Sequence, residues 1–185
     1  MAAGLHVNEP LGLVLGTTRP GSTTAKLGKC YKKILLSHHE VEVDVFDLAA
    51  LPEDFLTQIL YQPNKSQHAA WAEWQARVDR LQKFVFVIPE YNGSFPGILK
   101  AFVDALKFPT SLRGKYAGMI GISDGTQGAA LAMSHFGDVL NYAGMLLLPL
   151  RPRLIEINKY WDSEELTHPV YLRMLEEHAL SMLAR

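Results

Sequence analysis

Pro89-Glu90-Tyr91-Asn92-Gly93-Ser94-Phe95-Pro96-Gly97 is the stretch whose reading decides the fold. It follows the apolar run Phe84-Val85-Phe86-Val87-Ile88 and leads into Ile98-Leu99-Lys100-Ala101-Phe102-Val103-Asp104-Ala105-Leu106, whose apolar positions recur at helical spacing. That is a buried strand, a loop and a helix. A strand feeding a helix puts the loop at the strand's carboxyl end, where open α/β sheets bind their ligands.

Outward from this unit the pattern repeats. Leu11-Gly12-Leu13-Val14-Leu15 reads as a buried strand ending at Gly16-Thr17-Thr18-Arg19-Pro20-Gly21-Ser22-Thr23-Thr24. The next segment has Leu27, Tyr31, Ile34 and Leu35 on one helical face, with Lys26, Lys29, Lys32 and Lys33 read as a solvated opposite face. Val41-Glu42-Val43-Asp44-Val45 alternates, so one face is expected to be wet or only loosely covered, as suits a strand near the sheet edge; the other strands are apolar throughout and call for helices on both faces. Leu48 to Ser66, broken by Pro52 and Pro63, shows no clear period. A helix is predicted over Gln67 to Leu81, where Trp71, Trp74, Val78 and Leu81 form a stripe better explained by core packing than by ligand stacking.

Tyr116 to Ser123 is a further strand, ending in Ser123-Asp124-Gly125-Thr126-Gln127-Gly128 and followed by a helix carrying Leu131, Met133, Phe136 and Leu140. Met145 to Leu148 makes a fifth strand, Leu154 to Ile157 a short extended piece, and Pro169 to Leu183 a closing helix. Alternating strands and helices predict an α/β fold with a parallel sheet covered on both faces. With the alternating second strand at the edge, the strand order 2-1-3-4-5 of a flavodoxin-like three-layer sandwich fits. Three glycine-bearing loops then meet at one sheet edge.

A chain of 185 residues with 48% hydrophobic and 20% charged residues suits one domain, 1–185, with a sizeable core. Eighteen Lys and Arg against 19 Asp and Glu, without a dense basic run, favour neither nucleic acid nor a membrane surface as partner. The single Cys30 excludes an intrachain disulfide and suits a reducing compartment. Met1 to Pro10 has no hydrophobic signal core, and no stretch is long enough for a membrane span, so the expected location is cytoplasmic.

The first loop offers the hydroxyls of Thr17, Thr18, Ser22 and Thr23, the charge of Arg19 and the free N–H groups of a helix start, which together suit a phosphate; the plain alternative is an N-capping Ser22 or Thr23 without a ligand. Gly16 and Gly21 have P-loop spacing, but Ser22 stands where the phosphate-binding lysine belongs, and no G-x-G-x-x-G is present. The histidines, among them His38 and His39 at the end of the first helix, form no ligand motif with a carboxylate or Cys30.

In combination, Gly16 to Ser22, Pro89 to Lys100 and Ser123 to Gly128 resemble the three flavin-binding loops of the NADPH-dependent FMN reductase family, a flavodoxin-like group that includes azo-, quinone- and chromate-reducing enzymes. The resemblance covers about Leu11 to Leu150. It implies that Thr17, Arg19, Ser22 and Thr23 hold the FMN phosphate. It implies too that Pro89, Glu90, Tyr91, Asn92 and Gly93 wrap the ribityl chain and ring edge, and that Ser123, Gly125, Thr126 and Gly128 meet the ring's pyrimidine end. Where the family often has a second glycine this chain has Ala129, and Ala101 and Ala105 replace a frequent asparagine and tryptophan on a helix that members commonly use for dimerisation.

The implied activity is hydride transfer from NADPH or NADH to FMN, then electron transfer to a quinone, azo, metal-oxyanion or free-flavin acceptor, in a homodimer or homotetramer. The alternatives are a flavodoxin-type electron carrier and a non-catalytic FMN-binding protein. Such hydride transfer needs stacking and orientation more than a protein acid or base, so no catalytic residue is assigned. Glu90 is read as setting loop geometry rather than as a base. His135 is read as a packing or surface residue. Tyr91 either anchors the loop or touches flavin or substrate, with contact favoured.

Overall fold

β3 (Lys83–Pro89) is buried along its whole length and sits at the centre of the molecule. In the computed structural model, which describes residues 9–38 and 40–185, it pairs in parallel with β1 (Leu11–Leu15) and β4 (Tyr116–Ile122). β2 (Val43–Asp47) lies outside β1, and β5 (Leu146–Leu147) lies outside β4, which makes the order β2-β1-β3-β4-β5 as expected. The chain leaves β1 towards one edge and β3 towards the other, so the switch point of the sheet falls between them.

The two faces of β3 divide by the strand period. Phe84, Phe86 and Ile88 enter an aromatic core with Phe46, Trp71, Trp74, Phe102 and Phe136, whereas Val85 and Val87 join Leu27, Tyr31, Leu175 and Met182. The first core lies under α2 (Ala69–Arg80), α3 (Gly97–Ala105) and α4 (Ala130–Tyr142), the second under α1 (Thr23–His38) and α5 (Pro169–Leu183). Trp71 and Trp74, at 1% and 8% exposure, are core residues, as their spacing predicts. Each fully buried aromatic of this kind contributes about 1.5–3 kcal/mol of transfer free energy.

Three expectations change. The fifth position of the sheet is shared by two short strands: β5 pairs with the start of β4, and β6 (Arg153–Leu154) pairs with its end. Pro149 and Pro152 fall between them and have no N–H to donate, so no continuous ladder can form. This edge is not apolar-in on both faces either, since Leu146 is half exposed. The second strand begins at Val43 rather than Val41, and its polar face is covered: Arg77 Nη2 donates to Asp44 Oδ1 at 2.6 Å while its guanidinium lies 4.6 Å from the Phe46 ring.

The connection from Leu48 to Ser66 contains short helical turns at Leu48–Ala50, Phe55–Ile59 and Lys65–Gln67, and Phe55 and Ile59 bury themselves against the aromatic core. The lysines of α1 form a solvated face as read, the side chains of Lys29 and Lys33 being 74% and 72% exposed, with ion pairs along its rim. Lys26 and Lys29 reach Glu164, and Lys33 reaches Glu165, on a hairpin of β7 (Trp161–Asp162) and β8 (Glu165–Leu166). His39, read as closing α1, and the start Met1 to Asn8 lie outside the described residues.

Candidate active site

Three loops leave the carboxyl edge of the sheet. The first follows β1 and delivers α1. Thr17 is buried, and its Oγ1 shares a short hydrogen bond with the Tyr91 hydroxyl while accepting the Arg19 N–H at 3.2 Å. Ser22 is the helix cap, its Oγ accepting the Ala25 N–H at 3.1 Å. The capping role read from the sequence is therefore present. The exposed Arg19 forms no ion pair among the described residues.

The second loop is a two-residue hairpin. Tyr91 N–H donates to Ser94 O at 2.8 Å and Ser94 N–H to Tyr91 O at 3.1 Å. Asn92 and Gly93 take φ of 51° and 76°, the left-handed pair of a type I′ turn, which an Asn-Gly sequence favours. The tip is tethered to α4 by Ser94 Oγ and His135 Nδ1, 3.0 Å apart. His135 is thus a surface residue with a definite partner on the loop.

The third loop is drawn in by one side chain. Ser123 Oγ donates to Gly125 O at 2.7 Å and accepts the Gly128 N–H at 3.0 Å, so its hydroxyl serves the loop itself. A Cβ on Gly128 would stand 2.8 Å from Ile155 Cγ2, which leaves no room for a side chain against the β6 segment. Ala129 begins α4 in a left-handed conformation, φ 57° and ψ 29°. That conformation accounts for a glycine preference at this position.

Glu90 joins the second and third loops, its Oε2 accepting the buried Ala129 N–H at 3.0 Å while its own N–H donates to Ile122 O at 3.0 Å. The sequence reading of Glu90 as a loop-setting acceptor matches this geometry.

The loops enclose a cleft of about 230 Å³ at the β1/β3 switch point. Of the residues singled out from the sequence, Arg19, Ser22, Thr23, Pro89, Glu90, Tyr91 and Ser123 line it. Thr17 stands behind Tyr91, while Asn92, Gly93, Gly125, Thr126 and Gly128 shape the loops without lining the cleft. Asp124, Ile157 and Asn158 line it as well, and sequence reasoning missed them. Asn158 reaches the cleft through a contact 135 residues away, with Thr23, and no local pattern announces that. A larger cavity of about 500 Å³ lies between the ends of α3 and α4, lined by Phe108, Tyr142 and Val139 among others, and has no glycine loop or helix start.

The donor set of the cleft fits FMN. The first turn of α1 presents N–H groups that helix geometry leaves unpaired, at the positive end of its dipole, beside the cation of Arg19. A hydrogen bond to a charged phosphate contributes about 1.5–3 kcal/mol net, so a few of them would hold a nucleotide. A twisted parallel sheet with this cleft at its switch point defines a flavodoxin-like FMN-binding protein. The chain belongs to the NADPH-dependent FMN reductase family, whose model matches residues 11–152. It is accordingly an FMN-dependent NAD(P)H oxidoreductase.

A 2-hydroxy-1,4-benzoquinone reductase from a Burkholderia species is 30% identical over 142 residues, 75% of this chain and 73% of the relative. An FMN-dependent NADPH-azoreductase from Staphylococcus haemolyticus is 30% identical over 61% of this chain and 60% of its own. In architecture the chain is similar to a flavoenzyme NAD(P)H:acceptor oxidoreductase from Paracoccus denitrificans, with a TM-score of 0.76, 22% identity and 95% of each chain covered.

Proposed function

We propose that this reductase passes electrons from NAD(P)H to a small quinone or azo acceptor, and that the three loops divide the work of holding FMN. The names of the two relatives support the acceptor class. Bound FMN supplies a ring that takes up a hydride and gives up electrons. Arg19, Ser22 and the α1 N–H groups, that of Thr23 among them, hold the phosphate, the Thr23 hydroxyl being donated to Asn158. Pro89 to Gly93 wall the ribityl chain and the ring edge, and Tyr91 is fixed for this by Thr17. Gly125, Thr126 and the backbone of Ser123 and Gly128 face the pyrimidine end. None of these groups is asked to move a proton in the hydride step. Their contribution is orientation, which is worth several kcal/mol when reacting atoms are held about 3–3.5 Å apart.

The observation that carries this reading is the meeting of the α1 start with the second and third loops in one cleft at the switch point. Anaerobic mixing of the purified FMN-loaded protein with NADPH tests it. Bleaching of the flavin on a catalytic timescale, and steady NADPH consumption with a quinone or azo dye, are expected. A flavin that stays yellow would instead make the protein a flavodoxin-type carrier.

A homodimer through α3 and α4 belongs to this proposal. Phe108 and Tyr142 stack with ring centroids 5.9 Å apart yet are 67% and 81% exposed, beside an apolar groove edged by Lys100, Asp104, Lys107 and Asp138. Charges of both signs around an apolar centre suit a self-complementary two-fold contact. The single Cys30 supports a cytoplasmic site of action.

A further inference from the structure

Beyond the residues 11–152 matched by the family, the chain returns to the cleft and crosses it. The segment after β6 is fastened to the third loop through its backbone: Ser123 N–H donates to Leu154 O, Glu156 N–H to Gly125 O and Ile157 N–H to Ser123 O, each at 3.1 Å. Its hairpin is fastened to α1, where Lys26 Nζ donates to Ser163 O at 3.2 Å and Glu164 meets Lys26 and Lys29 at 3.4 Å. Between these two anchorages stands Asn158. Thr23 Oγ1 donates to its Oδ1 at 2.6 Å, and its Nδ2 donates to Asp124 Oδ1 at 3.0 Å. The carboxylate of Asp124 can only accept, so the amide nitrogen must face it and the amide oxygen must face Thr23.

This bridge has an electrostatic consequence. Asp124 and Thr23 both line the cleft, with a single amide group between them, so a carboxylate stands close to the place where the helix start would receive a phosphate dianion. Two negative groups at that range repel. Asn158 gives the carboxylate a donor and fixes its place beside the start of α1, so that it is not free to turn further into the cleft, while securing the first turn of α1 to the third loop. Asn158 has exposed surface and a side chain with no apolar packing role, which makes the bridge its clearest structural contribution.

We propose that Asn158 is a positioning residue for FMN: it restrains Asp124 and thereby protects the phosphate end of the cleft from a negative charge. The proposal rests on reading this cleft as the FMN-phosphate site. Its test compares FMN with riboflavin, which has the same ring and side chain but no phosphate. Dissociation constants are measured by quenching of flavin fluorescence with apoprotein of the unsubstituted chain, of Asn158→Ala, and of the double variant Asn158→Ala/Asp124→Asn.

Asn158→Ala is expected to weaken FMN binding by about tenfold, the scale of one hydrogen bond to a charged group, and to leave riboflavin binding unchanged. The loss should shrink at high salt, where exposed charges are screened. The double variant should recover most of the FMN affinity, because a neutral amide no longer repels the phosphate. Equal FMN affinity in Asn158→Ala overturns the proposal. So does a loss shared equally by FMN and riboflavin, or one that Asp124→Asn does not relieve, since either would mark a general loosening of the fold. Failure of the unsubstituted apoprotein to bind FMN is a different result, and removes the reading of the cleft on which the proposal stands.

Discussion

Glu90 Oε2 lies 3.0 Å from the backbone nitrogen of Ala129, so the second loop of the site is hydrogen-bonded to the residue that caps the helix following the third. Ala129 is fully buried, and its N–H has no water to turn to. Glu90→Ala should leave that donor unsatisfied and destabilise the protein by about 1–3 kcal/mol. Glu90→Gln keeps an acceptor and should cost much less. Neither substitution should change the pH dependence of flavin reduction, since Glu90 is not a base; denaturant titration and stopped-flow traces across pH check the two halves.

The turn at the tip of the second loop leads to a sharper comparison. Gly93 holds φ at 76°, and nothing lies within 4 Å of where a Cβ would stand, so the demand for glycine is conformational rather than steric. A β-branched residue there carries strain of about 1–2 kcal/mol or more and would open the hairpin. Gly93→Val is therefore expected to weaken FMN binding more than Glu90→Gln does, measured by fluorescence titration of the apoproteins. Equal affinities would count against the loop's role as a wall of the site.

Ala129 is the reverse case, an alanine in a left-handed conformation with φ 57°. Ala129→Gly should relieve strain and raise stability by up to about 1 kcal/mol, the extra backbone entropy of glycine offsetting part of the gain. For a chain of this size that corresponds to about 2–4 °C in Tm by calorimetry.

On the opposite face of the sheet, buried His178 accepts or shares a proton with Tyr31, Nδ1 and the hydroxyl being 2.7 Å apart, and its Nε2 has no hydrogen-bond partner among the described residues. Burial pushes its pKa down from 6.5 to about 4. The folded state then favours the neutral ring, and the unfolded chain takes up the proton first as pH falls. Stability is fully present above about pH 6.5 and is lost progressively between there and about pH 4, by about 3 kcal/mol in all. His178→Gln, which does not titrate, should flatten that part of the pH profile of chemical denaturation.

The exposed stack of Phe108 on Tyr142 makes the proposed dimer testable. Tyr142→Asp adds a charge next to the carboxylate of Asp138 in the same groove and should shift the protein towards monomer in sedimentation equilibrium. An unchanged mass would move the interface elsewhere.

Much of this molecule follows from local sequence. The apolar runs at Leu11, Phe84 and Tyr116, each ending in a glycine loop, determine three central strands and the edge at which the three loops meet, because burial on both faces requires uninterrupted hydrophobic residues and a turn requires glycine or proline. The three loop motifs carried the family and its flavin chemistry in the same way. What only the tertiary structure decided are relationships between residues distant in the chain. The polar face of the second strand was legible as charged, yet Arg77 covers it; the lysines of α1 were legible as a polar face, yet a hairpin some 130 residues later pairs with them. The start of the Pro89 to Gly97 loop lines the cleft, as its own residues suggested for the proposed site, but its tether through Glu90 to Ala129 and the bridge of Asn158 between Thr23 and Asp124 could not be read from them. Periodicity and turn chemistry act over a few residues, whereas a hydrogen bond between side chains from separate elements depends on how those elements are packed.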